Sequence, residues 1–411
     1  MLWSICYGKP DDSARKYNGE TQTAQHRRIV YIPRSSSSRR RSAAVTAQRL
    51  ILCLQLPFTF AQEAATTKAA DPDPLVTAES DYILKDFHFV NGESLPELKL
   101  HYRTIGQPTS NPSSGEVKNA VLLIHGTTGT GKEFLAKGFR DAMFEPGQPL
   151  DAAKYYLILP DAIGLGGSSK PSDGLHDRFP RYGYKDMVAA EERLVTEGLG
   201  IKHLRLVFGI SMGGMHAWLW GEQYPALMDA IIPVACQPDK IAGRNLLWRR
   251  IITTAVRSDP EWNGGDYHRP PSSLARVYPI LKLMTSNAAQ LQQELGGVEQ
   301  VNAWLESIAE FCRSGQIDAN DLVHRFEASA DYDPAPGLEK IQAAVLAINF
   351  ADDELNPPEL GIVDRAKQRV RNGQFVLIPA SSQTQGHMTL RKAFIYAPFV
   401  ADFLAKLPMA P

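Results

Sequence analysis

The chain is poor in cysteine, with four residues in 411, at positions 6, 53, 236 and 312. None of them has metal-ligand spacing, so zinc ribbons and cluster frameworks are excluded and no metal site is expected. No stretch approaches the roughly 20 apolar residues that cross a bilayer, so no stable membrane anchor is expected. The net charge is only −1, which points to neither a nucleic-acid partner nor an anionic membrane surface. A glycine run occurs at Gly164-Leu-Gly-Gly-Ser-Ser-Lys-Pro171, but it has neither the Gly-x-x-x-x-Gly-Lys-Ser form nor a GxGxxG opening onto a helix. It reads as a tight turn shaping a pocket wall, and no cofactor is expected. There is no internal repeat, and low complexity is confined to residues 35–41.

What is present is an ordinary globular balance, 44% hydrophobic and 22% charged, with enough chain for one large α/β core and an insertion. Charge is uneven along it. Residues 1–50 carry ten Lys or Arg against three acids, a local +7 that leaves −8 for the rest. The apolar segment 50–60 and the small residues at 61–65 follow, so residues 1–61 read as a basic leader with a signal peptide for export to a periplasmic or extracellular space. Without a functional signal, the chain would stay cytoplasmic. Cleavage near Ala61 would leave Cys236 and Cys312, which the sequence does not require to pair. Residues 62–79 read as a linker, and the folded body is expected from Ser80.

Two alternating stretches, 82–90 and 98–105, are joined through Asn91-Gly92 and read as an antiparallel hairpin at a sheet edge. Short, nearly unbroken apolar runs follow at 120–124, 155–159, 204–210, 230–234, 344–348 and 375–378. Such runs are the pattern of parallel strands covered on both faces, so the fold class is α/β with a doubly wound, mostly parallel sheet. The strand rhythm stops between about 238 and 340, where helical periodicity takes over. A structureless loop of that length is improbable, so this is expected to be a helical lid above the strand ends.

The strongest chemical signal is Gly209-Ile210-Ser211-Met212-Gly213, between an apolar strand and a helix. Glycines two before and two after the serine permit the sharp turn that lifts its hydroxyl out of a sheet, so Ser211 is the candidate nucleophile. In this fold the loop after the 120–124 strand brings a second backbone N–H beside that of the residue after the nucleophile. Thr127 and Met212 are therefore the oxyanion candidates, and His125 at the strand end is expected to be structural. The chain order of the fold is serine, acid, histidine. His387 is the only histidine after His324, and Asp352 and Asp353 both follow a late strand, so either could orient it. The one not used is expected to be a solvated loop carboxylate or a helix cap. Arg244, Arg249 and Arg250 could meet an anionic substrate group, although basic residues on a helix usually form a solvated face.

From about Ser80 onward the chain resembles the homoserine O-acetyltransferase family of the α/β hydrolases. Ser211-Met-Gly-Gly-Met215 is similar to its nucleophile turn, Asp259-Pro-Glu-Trp-Asn-Gly-Gly-Asp-Tyr267 to its lid signature, and Gly386-His387 to its histidine. Asp353-Glu-Leu-Asn-Pro357 is similar to its Asp-x-Leu-x-Pro loop, and this resemblance favours Asp353 as the acid. It also implies that Arg249, Arg250 and Tyr267 belong to the substrate site, that the partners are a small-molecule acyl donor and acceptor, and that a homodimer is one expected assembly. The chain departs at Gly166-Gly-Ser-Ser-Lys-Pro171, which is closer to ordinary hydrolases, at His216, and at Met388 after the histidine. Two enzyme readings follow, acyl transfer from acetyl-CoA to a small hydroxyl acceptor, or an exported carboxylic-ester hydrolase that hands the same acyl group to water. A third, a binding module that has lost catalysis, conflicts with the intact Ser, Asp and His.

Overall fold

The computed structural model describes residues 75–408. The expected basic leader with its signal peptide, and residues 62–74 of the expected linker, lie outside the described residues. The first strand begins at Val76, four residues before the expected Ser80. Its opening residues are mostly exposed on an edge, so no burial pattern in the sequence marks them.

The strands are β1 (Val76–His88), β2 (Ser94–Ile105), β3 (Ala120–Ile124), β4 (Tyr156–Pro160), β5 (Leu206–Ile210), β6 (Ala230–Val234), β7 (Ala344–Phe350) and β8 (Gly373–Ile378). They form one sheet in the order β1-β2-β4-β3-β5-β6-β7-β8. β1 pairs antiparallel with β2 and β2 antiparallel with β4, while β4 through β8 are mutually parallel. The turn at Asn91-Gly92 closes the edge hairpin, with Gly92 at φ +90°.

The central strands are fully buried, and successive side chains enter two different cores. Leu122, Ile124, Val207 and Ile231 pack on one face, against α2 (Tyr184–Arg193) and α3 (Met212–Gln223). Val121, Leu123, Phe208 and Ile232 pack on the other, with Phe139 and Met143 of α1 (Lys137–Met143) and with Val400 and Phe403 near the C-terminus. This two-sided burial is why the sequence shows apolar runs rather than alternation. The chain leaves β3 towards β4 and then returns to place β5 on the opposite side of β3. That reversal opens a crevice beyond the carboxyl ends of β3 and β5, the usual ligand position in an open α/β sheet.

Between β6 and β7 stand α4 (Gly243–Arg257), α5 (Ser272–Val277), α6 (Ile280–Thr285), α7 (Ala288–Glu294), α8 (Val298–Arg313) and α9 (Ala319–Glu327). They build the expected helical lid around a separate core that includes Ile252, Trp262, Leu274, Ile308 and Phe326. Leu355, from the turn after β7, is inserted into that same core and ties lid to sheet. α10 (Ile362–Lys367) and α11 (Ala397–Lys406) complete the chain. Among the described residues no helix is long and apolar enough to cross a membrane.

Candidate active site

Ser211 caps α3 directly after β5, at φ 53° and ψ −113°, a backbone conformation that non-glycine residues rarely adopt. The flanking glycines are required by close packing. A Cβ on Gly209 would lie 2.0 Å from the carbonyl oxygen of Gly213, and one on Gly213 would lie 1.9 Å from that of Ile124. Gly213→Ala must therefore push the start of α3 away from the end of β3. It is expected to cost more than about 3 kcal/mol, or to prevent folding, as backbone overpacking does. Thermal unfolding, or the soluble yield, checks this.

The loop after β3 lies against this elbow. A Cβ on Gly126 would meet the Ser211 Cβ at 3.6 Å, and the Gly126 N–H is fixed by Glu133 Oε1 at 2.6 Å. Met212 opens α3, so its N–H has no intrahelical acceptor, and the N–H of Thr127 is likewise not taken by another group among the described residues. Two such donors beside a nucleophile suit an oxyanion. His125 is buried with both ring nitrogens engaged, Nδ1 donating to the Gly126 carbonyl at 2.8 Å and Nε2 accepting from Ala162 N–H at 3.0 Å. It is a loop brace.

The glycine run after β4 does more than line a wall. Asp161 Oδ2 accepts from Gly167 N–H at 2.9 Å, while its Oδ1 accepts from Gly131 N–H at 2.8 Å and from Arg103 at 3.0 Å. A buried carboxylate thus joins this turn to the loop that carries Thr127.

His387 Nε2 stands 2.8 Å from Ser211 Oγ, and its Nδ1 stands 2.8 Å from Asp353 Oδ2. Asp353 is 1% exposed and also accepts from Leu355 N–H at 2.8 Å and from the Asn356 side-chain amide at 2.9 Å. Asn356 donates as well to the Ala235 carbonyl at 3.0 Å, which anchors the acid turn to the end of β6. With Asp353 accepting from Nδ1–H, the histidine presents a basic Nε2 to the serine. This chain can draw a proton from Ser211 and return it to a leaving group.

Asp352 is neither a solvated carboxylate nor a helix cap. Its Oδ2 accepts from Asn287 of the lid at 2.6 Å and from Gly386 N–H at 3.1 Å. Asn287 had no signal in the sequence because only the lid's fold brings it here. Asn356 was readable in retrospect, three residues after the acid.

The basic residues of α4 separate. Arg244 is exposed and pairs with Glu354 at 2.7 Å, and Arg250 is exposed. Arg249 is only 5% exposed, with Nε bonded to Asn245 at 2.9 Å, no ion pair among the described residues, and Nη1 buried without a hydrogen bond. Its guanidinium lies over the Phe326 ring. Near it is the buried hydroxyl of Tyr184, which burial pushes towards higher pKa while Arg249 and Thr127 act against that rise; this oxygen too completes no hydrogen bond. Arg249 and Arg250 line a cavity of about 250 Å³ together with Arg181, Tyr182 and His324. Burial, and then Arg181, pull His324 down to about 4, so at neutral pH the cavity's positive charge belongs to the arginines.

Tyr267 departs from the substrate-site expectation. Its hydroxyl donates to Asp318 at 2.5 Å and accepts from Ala319 N–H at 2.7 Å, so its hydrogen bonds within the lid bolt the start of α9. Cys236 and Cys312 are both buried free thiols, in different cores, and burial raises the pKa of each. Neither is a nucleophile.

The family described as alpha/beta hydrolase fold matches residues 119–380. A "Probable acyltransferase" of Methanothermobacter thermautotrophicus is 28% identical over 326 residues, covering 79% of this chain and 97% of that protein. A "Homoserine O-acetyltransferase" of Haemophilus influenzae is 31% identical over 284 residues, covering 62% of this chain and 76% of that one. Among solved structures, the acetyl esterase MekB superposes with a TM-score of 0.67 at 21% identity, covering 80% of this chain and 97% of its own, a likeness of fold.

Proposed function

This chain belongs to the alpha/beta hydrolase fold family and to its homoserine O-acetyltransferase-like branch, and on that premise we propose that it passes an acyl group through Ser211 to the hydroxyl of a small acceptor carrying a carboxylate. His387 removes the Ser211 proton as Oγ attacks the acyl carbonyl, and the N–H groups of Thr127 and Met212 receive the oxyanion. Collapse expels the leaving group with the proton from His387 and leaves an ester on Ser211. The acceptor hydroxyl then gives its proton to His387, attacks that ester, and departs acylated as Oγ recovers the proton.

The observation that carries the choice of acceptor is Arg249. A buried guanidinium without a counter-ion is costly, and an unsatisfied Nη1 beside the unsatisfied Tyr184 hydroxyl is a pair of partners for a carboxylate. Water, the acceptor of an ester hydrolase, gives that charge no partner. Arg249→Leu is expected to raise KM for homoserine or serine as acceptor by about 10- to 100-fold, the worth of a charge-assisted contact. Hydrolysis of p-nitrophenyl acetate should stay within about threefold, because that ester carries no carboxylate to hold. Equal losses for acceptor and neutral ester would remove the acceptor-binding role, and a wild type unable to use any hydroxyl acceptor would leave ester hydrolysis as the activity.

The leader pattern at 50–65 supports export of this enzyme. Outside the cytoplasm the acyl donor would be something other than acetyl-CoA, and a mature N-terminus near Gln62 is the check on that placement.

A further inference from the structure

The two adjacent aspartates of the acid turn engage two adjacent residues of the histidine loop. Asp353 holds the His387 ring and Asp352 holds the Gly386 N–H, so the contacts form two rungs between the same two segments. The second rung carries a third member. Asn287 Nδ2 donates to the same Asp352 oxygen at 2.6 Å, and Asn287 Oδ1 accepts from Gln290 N–H at 2.7 Å as the cap of α7 in the lid.

Packing at this junction is close. Gly386 has φ +58°, and a Cβ there would lie 2.8 Å from the Asn287 backbone nitrogen and 3.2 Å from the Asp352 carbonyl oxygen. The lid, the acid turn and the histidine loop therefore touch at one point, immediately beside the Asp353–His387 contact. The Oδ1 of Asp352 is buried and has no hydrogen bond, so the carboxylate is held from one side only, by the lid amide and the loop N–H together.

We infer that Asp352 is a positioning residue that sets the register of the His387 loop, and that the lid, through Asn287, is part of that register. Asp352 touches no reacting atom; it acts through His387. If α7 moves away, Asp352 loses one of its two donors and Gly386 loses its packing, and the imidazole is no longer aligned on Ser211 Oγ. Misplacement of a catalytic group by about 1 Å can cost about 100-fold in rate. Catalytic competence would then depend on the position of the lid, because segment 286–287 completes the support of the base.

This rests on the acyl-Ser211 reading, and the experiment separates the two. Full-length wild type, Asp352→Ala, Asn287→Ala and the double variant are given p-nitrophenyl acetate, and each is normalised by its p-nitrophenol burst so that only folded, acylatable enzyme is counted. Asp352→Ala is expected to lower kcat per active site by about 10- to 100-fold with KM changed less than about threefold, and Asn287→Ala by about 10-fold. The double variant should be no slower than Asp352→Ala, because both substitutions break one junction.

A kcat per site within about twofold of wild type in Asp352→Ala would show a merely structural role and overturn the inference. Losses that multiply in the double variant, or Asn287→Ala at the wild-type kcat, would overturn the coupling to the lid. Failure of p-nitrophenyl acetate to place an acetyl group on Ser211 of the acid-quenched wild type, read by peptide mass spectrometry, would instead remove the acyl-Ser211 premise.

Discussion

Ser211→Ala should abolish acylation and lower kcat/KM for p-nitrophenyl acetate by about 10⁴- to 10⁶-fold, the range seen when a serine nucleophile is removed while the rest of the site stays intact. The protein should nevertheless fold. Ser211 sits at φ 53°, and alanine there meets the same backbone demand as serine, so the strain is retained and only the hydroxyl is lost. Circular dichroism and melting temperature would match the wild type to within a few degrees, while a fluorophosphonate probe would fail to label. Residual turnover would come from the Thr127 and Met212 N–H groups acting on bound ester with water as the nucleophile. Retained labelling of Ser211→Ala would show that the nucleophile lies elsewhere.

Asp353→Asn should lower kcat by about 10⁴-fold with little effect on KM. The cause is a proton in the wrong place. Asp353 Oδ2 accepts from Nδ1–H of His387 at 2.8 Å, while the Asn356 amide and the Leu355 N–H already donate to the same carboxylate. With those two donors fixed, an asparagine would point either its amide nitrogen towards them or its NH₂ towards Nδ1. In the second case the imidazole must carry its proton on Nε2, facing Ser211 Oγ, where it cannot act as a base. The pH profile of kcat/KM distinguishes this from simple loss of structure, because a misassigned tautomer recovers rate at high pH when hydroxide replaces the base. A fall of less than about tenfold would place the acid at another residue.

The sheet and the reacting residues were legible for a common reason. Parallel strands buried on both faces leave short apolar runs separated by longer mixed segments, and β3, β5 and β6 lie where those runs stand. The serine elbow is legible because two glycines are imposed by backbone contacts of about 2 Å, so the local sequence has little freedom. His387 was found by order in the chain. Choosing between Asp352 and Asp353 was beyond periodicity, since neighbouring carboxylates differ only in which way the turn points them, and only the resemblance of Asp353-Glu-Leu-Asn-Pro357 favoured one.

What was not legible depends on contacts between distant segments. Tyr267 sits in a lid signature, yet its hydroxyl is bonded to Asp318 and Ala319 fifty residues away, an arrangement no local pattern encodes. Arg249 and Arg250 are adjacent on one helix, and their opposite fates, one buried without a counter-ion and the other in solvent, follow from the face of α4 that meets Phe326. The start of β1 was misplaced because an exposed edge strand shows no apolar face.

The central claim is an acyl group carried on Ser211 and handed to a hydroxyl acceptor with a carboxylate. It is tested most directly by quenching the protein with acid milliseconds to seconds after mixing with p-nitrophenyl acetate, with and without homoserine, and mapping the acetyl group by peptide mass spectrometry. The account predicts one acetyl group on the peptide containing Ser211, discharged faster when homoserine is present and recovered as O-acetylhomoserine. An acetyl group on any other residue, or discharge to acetate at a rate that homoserine does not change, would contradict it.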